Sequence, residues 1–252
     1  MTPIDSDRGM VRRASRMVEE LMMKNLYVIL IAALSILEVS AQTPVSLFDT
    51  SRLQTGQFAY RIMQDGKQVA TFTITIRREG DRYRFVGEGF NQRWESIVGP
   101  AFEPVSATIK MEPAGRPAYS MRLAYDRGRV TGAQIRAAAE TAVDAALPPG
   151  TIDQRLDWAA MLSIQSALRQ ELRFPVYDPQ TDVSTVVGSA VEMTRITVPA
   201  GAYDALRLDY KVQKSSGVET YQVLATRDVP RMMVRENFPN GLILELVTAT
   251  VP

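Results

Sequence analysis

Between residues 57 and 90 the chain alternates apolar and polar side chains three times over, with a tight turn at each reversal. Phe58, Tyr60 and Ile62 alternate with Gln57, Ala59 and Arg61. Asp65-Gly66 follows, a dipeptide that favours the left-handed turn of a two-residue hairpin. Residues 68–77 then read QVATFTITIR, Gly80-Asp81 turns the chain again, and residues 83–90 return as YRFVGEGF. A period of two sends successive side chains to opposite faces, so this stretch predicts an antiparallel meander and leaves no room for helix. The same pattern predicts strands over residues 105–111, 119–125 and 130–138. After a break it resumes over residues 171–177, 185–198, 205–213, 218–225, 231–236 and 242–248. The resulting fold class is mainly β: a curved antiparallel sheet or open barrel of about twelve strands.

One segment breaks the period. Leu147-Pro148-Pro149-Gly150 stops the strands, and residues 153–169, DQRLDWAAMLSIQSALR, contain neither Gly nor Pro. At 100° per residue, Leu156, Ala160, Ile164 and Leu168 share one face, which predicts a single central helix over about 153–169. Trp158 and Leu162 form a second apolar patch on the other side. Two patches imply a helix covered on both sides, or one that carries an exposed sticky surface.

The N-terminal region reads as an address. Residues 26–37, LYVILIAALSIL, form an apolar run of 12 with Ser35 its only polar member. A membrane-spanning helix needs about 20 such residues, whereas a signal-peptide core needs about 7–15. Lys24 supplies the positive flank, and Val39-Ser40-Ala41 supplies small residues for cleavage between Ala41 and Gln42. Asp5, Asp7, Glu19 and Glu20 are out of place ahead of such a core, so a translation start at Met22 or Met23 is the simplest reading. Residues 1–41 thus form the signal-peptide region and residues 42–252 a single β-rich domain without a transmembrane span. Export to the periplasm is expected, with secretion to the extracellular space as the alternative.

Composition removes much chemistry. The sequence has 29 basic and 28 acidic residues, a balance unlike the basic excess of nucleic-acid-binding proteins, so no nucleic acid is expected as partner. It has no cysteine and no histidine. Disulfides, thiolate nucleophiles, Ser-His-Asp triads and imidazole metal sites are therefore excluded. No metal or cofactor is expected.

What remains are carboxylates and aromatics. Asp157 falls inside the main apolar face of the helix, where an unpaired carboxylate is costly. A cap, an ion pair with a strand arginine, or a ligand contact would each explain it. Arg169, at the far end, complements the helix dipole. Trp158 and Leu162, with Phe90 and Trp94 after the third strand, are the candidate residues for binding an apolar ligand. Glu88 and Glu95 could form the carboxylate pair of a hydrolase.

The segments TVPAGAYDALRL (residues 197–208) and TRDVPRMMVRENFPNGLILEL (residues 226–246) resemble a recurring pattern in a family of exported bacterial β-rich proteins of unknown function. The pattern is a strand, "tPaGtfda", a second strand, and then "D.rrlPvr…G.i..eL". The chain departs from it at Val229-Pro230-Arg231, where the family favours basic residues before the proline. The resemblance covers about residues 147–247 and implies an exported β-rich domain without known catalytic residues. The layout is also distantly similar to the periplasmic lipoprotein-carrier proteins, a curved sheet around a helix. Together these readings lead to an exported protein that binds an apolar small molecule or lipid between sheet and helix. The alternatives are an envelope-associated β-domain without ligand and a carboxylate-dependent hydrolase. An outer-membrane barrel has no place for the helix in its wall, and the aromatic content of 8% is modest for two interfacial girdles.

Overall fold

The computed structural model describes residues 47–112, 115, 117–165 and 168–252. The expected signal-peptide region and the expected cleavage site at Ala41 and Gln42 lie outside the described residues.

Eight strands run in sequence: β1 (Gly56–Gln64), β2 (Lys67–Glu79), β3 (Arg82–Gly89), β4 (Gln92–Val98), β5 (Pro104–Met111), β6 (Tyr119–Asp126), β7 (Arg129–Arg136) and β8 (Ala139–Ala146). A two-residue strand β9 (Ile152–Asp153) precedes the helix α1 (Asp157–Ser163). Six more follow: β10 (Leu172–Asp178), β11 (Asp182–Val198), β12 (Gly201–Lys214), β13 (Gly217–Thr226), β14 (Met233–Asn237) and β15 (Ile243–Thr250). All fifteen form one sheet in the order β8 back to β1, then β15 back to β9.

The topology follows from the short turns. Each hairpin sets a strand beside its predecessor, so β1–β8 and β10–β15 are two antiparallel meanders. They join where β15 pairs with β1, Gln57 facing Thr250 and Met63 facing Ile243. Among the described strands β9 and β10 pair in parallel, and the helix supplies their crossover. The ends β8 and β9 do not pair with each other, so the sheet is open. It curls nonetheless: the Ser96 hydroxyl on β4 donates to Asp153 Oδ2 on β9 at 2.5 Å. Among the described residues no helix is long and apolar enough to cross a membrane.

The inward side chains build one large core. Phe58, Tyr60, Phe72, Ile74 and Phe85 of the first meander meet Val186, Leu208, Tyr210 and Leu246 of the second around the helix. A smaller core under β5–β8 holds Ala107, Met121, Leu123, Val130 and Tyr177.

The structure corrects three expectations. The sheet has fifteen strands rather than about twelve, because β4, β8 and β9 were not foreseen. The helix spans seven residues, preceded by a 3-10 turn (Gln154–Leu156), rather than residues 153–169. It ends at Ser163, where its last carbonyls are capped by side chains. Arg231 Nη1 donates to Leu162 O at 2.8 Å, the Ser163 hydroxyl donates to Ala160 O at 2.8 Å, and Ile164 turns extended to bridge Phe48. Leu168 therefore lies beyond the helix and is 52% exposed instead of buried. Every residue of the helix is buried, so both apolar patches are covered.

Candidate functional site

The helix does not fill the curled sheet. A cleft of about 490 Å³ lies beside its N-terminal turn, between β2, β4 and the β13–β15 end of the sheet. Three of the four aromatic and apolar candidates border it: Phe90, Trp94 and Trp158. Leu162 does not; it is fully buried on the side of the helix where Arg231 meets its carbonyl.

Local sequence explains how each tryptophan is held. Phe90-Asn91 forms the turn between β3 and β4, both residues at positive φ, so Trp94 sits on a strand and not in a loop. Its inward position follows the alternation Trp94, Ser96, Val98. Gly87 on β3 faces Trp94, and a Cβ there would stand 2.2 Å from the indole Cε2, so the indole occupies space that only a glycine leaves free. Trp158, the second residue of the helix, anchors its Nε1 on Arg155 O at 3.0 Å. Trp158 is 6% exposed and Phe90 50% exposed, which makes the first a wall and the second a rim.

Two polar groups reach this apolar space. The first surrounds Arg155, which pairs with Asp153 and lies 3.5 Å from Asp178. Burial alone would disfavour the guanidinium, but the carboxylates of Asp153 and Asp178 and the Tyr125 phenol hold its pKa above the ordinary value. The second is Asp157 with Glu236. Glu236 occupies an inward position of β14 and is 4% exposed. The Tyr210 hydroxyl lies 3.3 Å from Asp157 Oδ1 and 3.3 Å from Glu236 Oε1. Asp157 Oδ1 also accepts from the Trp158 backbone N–H at 2.6 Å. Burial pushes the Asp157 carboxyl up to about 7, against the pull of the Trp158 N–H and the Tyr210 hydroxyl. Burial and the neighbouring Asp157 charge raise Glu236 well above the carboxylate range. Tyr210 stacks on Tyr221 with ring centroids 5.0 Å apart, and Gly188 leaves the room its Cβ needs.

The other ionic candidates fall elsewhere. Asp157 finds a phenol rather than an arginine, so the expected ion pair with a strand arginine is absent among the described residues. Arg169 is not at a helix end: it sits at positive φ five residues past Ile164, its backbone N–H donating to Ala190 O. Glu88 and Glu95 lie on the outer face, paired with Arg93 at 2.7 Å and Arg84 at 2.5 Å. Sequence reasoning did not single out Arg155, Tyr210 or Glu236. Tyr210 was within reach, because Leu206, Leu208, Tyr210 and Val212 alternate. Glu236 could have been found by carrying the alternation on from Val234.

The family described as a protein of unknown function, DUF3108, matches residues 55–246, and the chain belongs to it. No curated protein matches the sequence. Two crystal structures are similar at 10% identity, each aligned over 81% of this chain and 99% of the other. One is described as an exported protein with a YmcC-like fold from Bacteroides fragilis, with a TM-score of 0.33. The other is described as a lipoprotein from Parabacteroides distasonis, with a TM-score of 0.34.

Proposed function

We propose that this is an exported binding protein that holds an apolar or lipid-like small molecule in the cleft between sheet and helix, by binding and without catalysis. The observation that carries this reading is the convergence of Phe90, Trp94 and Trp158 on a cleft of about 490 Å³. That size falls within the roughly 300–1,000 Å³ of small-molecule sites. Ile62, Phe72, Ile74 and Leu244 complete its apolar walls. Trp158 is buried and yet lines the cleft, so a solid core on one side of the helix coexists with a cavity on the other. The export half of the reading rests on the apolar run at residues 26–37 and the small residues before Gln42.

The chain has only two tryptophans, and both line the cleft. Intrinsic fluorescence therefore reports on this space directly. An apolar probe such as decanol should quench or shift the emission saturably. A wild-type protein whose emission ignores such probes has no apolar site here. N-terminal sequencing of the exported protein should begin within a few residues of Gln42, and a mature chain that retains residues 26–37 would overturn the export reading.

A further inference from the structure

The polar end of the cleft carries information about its ligand. Its lining includes three carboxyl side chains, Asp157, Asp178 and Glu236, and one cation, Arg155. Arg155 faces two carboxylates, Asp178 and Asp153 behind it, so its charge is more than offset although its Nε and Nη2 make no hydrogen bond among the described residues. Asp157 and Glu236 have no base of their own. The Tyr210 hydroxyl lies within reach of both but has one proton, so it can donate to only one of them at a time. Asp157 keeps the Trp158 backbone N–H in either case. Glu236, 4% exposed, has no partner among the described residues other than that shared hydroxyl, and it borders the cleft. A buried carboxyl left in this condition is costly unless something in the cleft completes it.

Chemistry narrows what that can be. An anionic head would meet two acids at close range. A divalent metal would need about six oxygen ligands, and no group of three or more suitable side chains exists among the described residues. An organic ammonium fits. It can donate to both carboxyls and the phenol oxygen together, and aromatic faces attract it. We infer that the cleft takes an amphipathic cation, its ammonium group between Asp157 and Glu236 and its apolar body against Trp94, Trp158 and Phe72. This rests on the cleft being the binding site, and adds the head group.

The weakened acidity of the pair gives the inference a second signature. In the free protein protons neutralise these carboxyls, and the ammonium must displace them, so affinity rises with pH. The other titratable groups around the pair are Lys214, Glu219, Tyr221, Tyr60, Asp153 and Arg155. Lys214 is tied to Glu219 at 2.6 Å, Arg155 is tied to its own acids, and burial raises the tyrosines further.

The test uses tryptophan fluorescence of the wild-type protein with decylamine, decanol and decanoate, each below its aggregation threshold. Decylamine should bind tighter than decanol by about tenfold or more, with decanoate weakest. Its affinity should rise about fivefold or more between about pH 5.5 and about pH 8, while decanol changes little. D157N and E236Q should bring the amine-to-alcohol affinity ratio toward one. Decanol or decanoate binding as tightly as decylamine would overturn the head group and leave the apolar site standing. So would a decylamine affinity that does not change with pH. If none of the three perturbs the emission, the apolar site itself is refuted and the head group with it. The wild-type comparison decides the matter even if a variant fails to fold.

Discussion

On one side of the cleft Arg155 sits between Asp153 and Asp178; on the other, Asp157 and Glu236 share the hydroxyl of Tyr210. Both groups are buried in the same apolar surroundings, and they resolve that burial differently. The first carries its own counter-ion, and its guanidinium stays charged because the acids beside it outweigh desolvation. It also works as a tie: Asp153 belongs to β9, Asp178 ends β10, and Ser96 donates to Asp153 from β4. The second has no base, so burial prevails and its carboxyls are driven toward their protonated forms. The difference separates a structural device from a responsive one. Removing a member of a compensated group exposes a buried charge, whereas removing a carboxyl from the uncompensated pair relieves one.

The largest effect should come from the compensated side. Arg155→Met leaves Asp153, 1% exposed, without its counter-ion. Loss of one partner of a buried ion pair costs about 3–5 kcal/mol. Urea unfolding should show a fall of that order, and a fall under about 1 kcal/mol would mean that hydrogen bonds alone hold Asp153.

The uncompensated pair should respond with the opposite sign. The Asp157 pKa rises from 3.8 to about 7 on folding. Above the lower value the unfolded chain releases its proton while the folded protein retains it. Stability therefore falls as pH rises from about 4 to about 7 and levels off above that, by up to about 1.4 kcal/mol per pH unit per group. D157N should flatten this slope and be more stable than wild type at about pH 8, by on the order of 1–3 kcal/mol. Denaturant unfolding at about pH 5 and pH 8 measures it. A wild-type stability that climbs across this window would place Asp157 among the compensated carboxylates.

Between these lies the cleft wall. Gly87→Ala puts a methyl 2.2 Å from the Trp94 ring, which must move. Overpacking of this kind costs about 1–3 kcal/mol. The displaced indole should also shift tryptophan emission and weaken decanol binding. Unchanged emission would mean that the strand yields and the ring does not.

The parts of this molecule that the sequence made legible share a physical cause, and so do those it hid. Turns with glycine in the left-handed position, Asp65-Gly66 and Gly80-Asp81, mark their hairpins. The turns before β4 and β8 use Phe90-Asn91 and Ala137-Ala138 at positive φ without any glycine, a conformation that Phe and Ala rarely adopt. No local signal announces them, and both strands were missed. The helix ends earlier than its periodicity predicts for a similar reason: residues 164–169 keep helical spacing, but Arg231, distant in sequence, caps the Leu162 carbonyl and Ile164 turns extended. At the site, the aromatic wall was readable because alternation reports which way a side chain points. The pairing of Asp157 with Glu236 was not, because it depends on β12 and β14 meeting the helix across the curled sheet.

The smallest expected effect tests the site from outside. Glu88 and Glu95 are the carboxylates nearest to Trp94 in sequence, and a hydrolase reading would use them. They lie on the opposite face from the indole, and Glu88 and Arg93 are 64% and 58% exposed. Exposed pairs of this kind contribute about 0–1 kcal/mol, because water screens the attraction and both side chains lose freedom. Glu88→Gln should thus leave stability within about 0.5 kcal/mol of wild type. Glu95→Gln should cost slightly more, since Glu95 is 30% exposed and lies 2.5 Å from Arg84. Neither change should alter decanol or decylamine binding. The outer face has its own groove of about 860 Å³ across β4–β8, bordered by Glu95, Lys110 and Arg122. If Glu95→Gln weakened ligand binding in a protein of unchanged stability, the ligand would belong to that groove, and the tryptophan-lined cleft would be left as a cavity within the core.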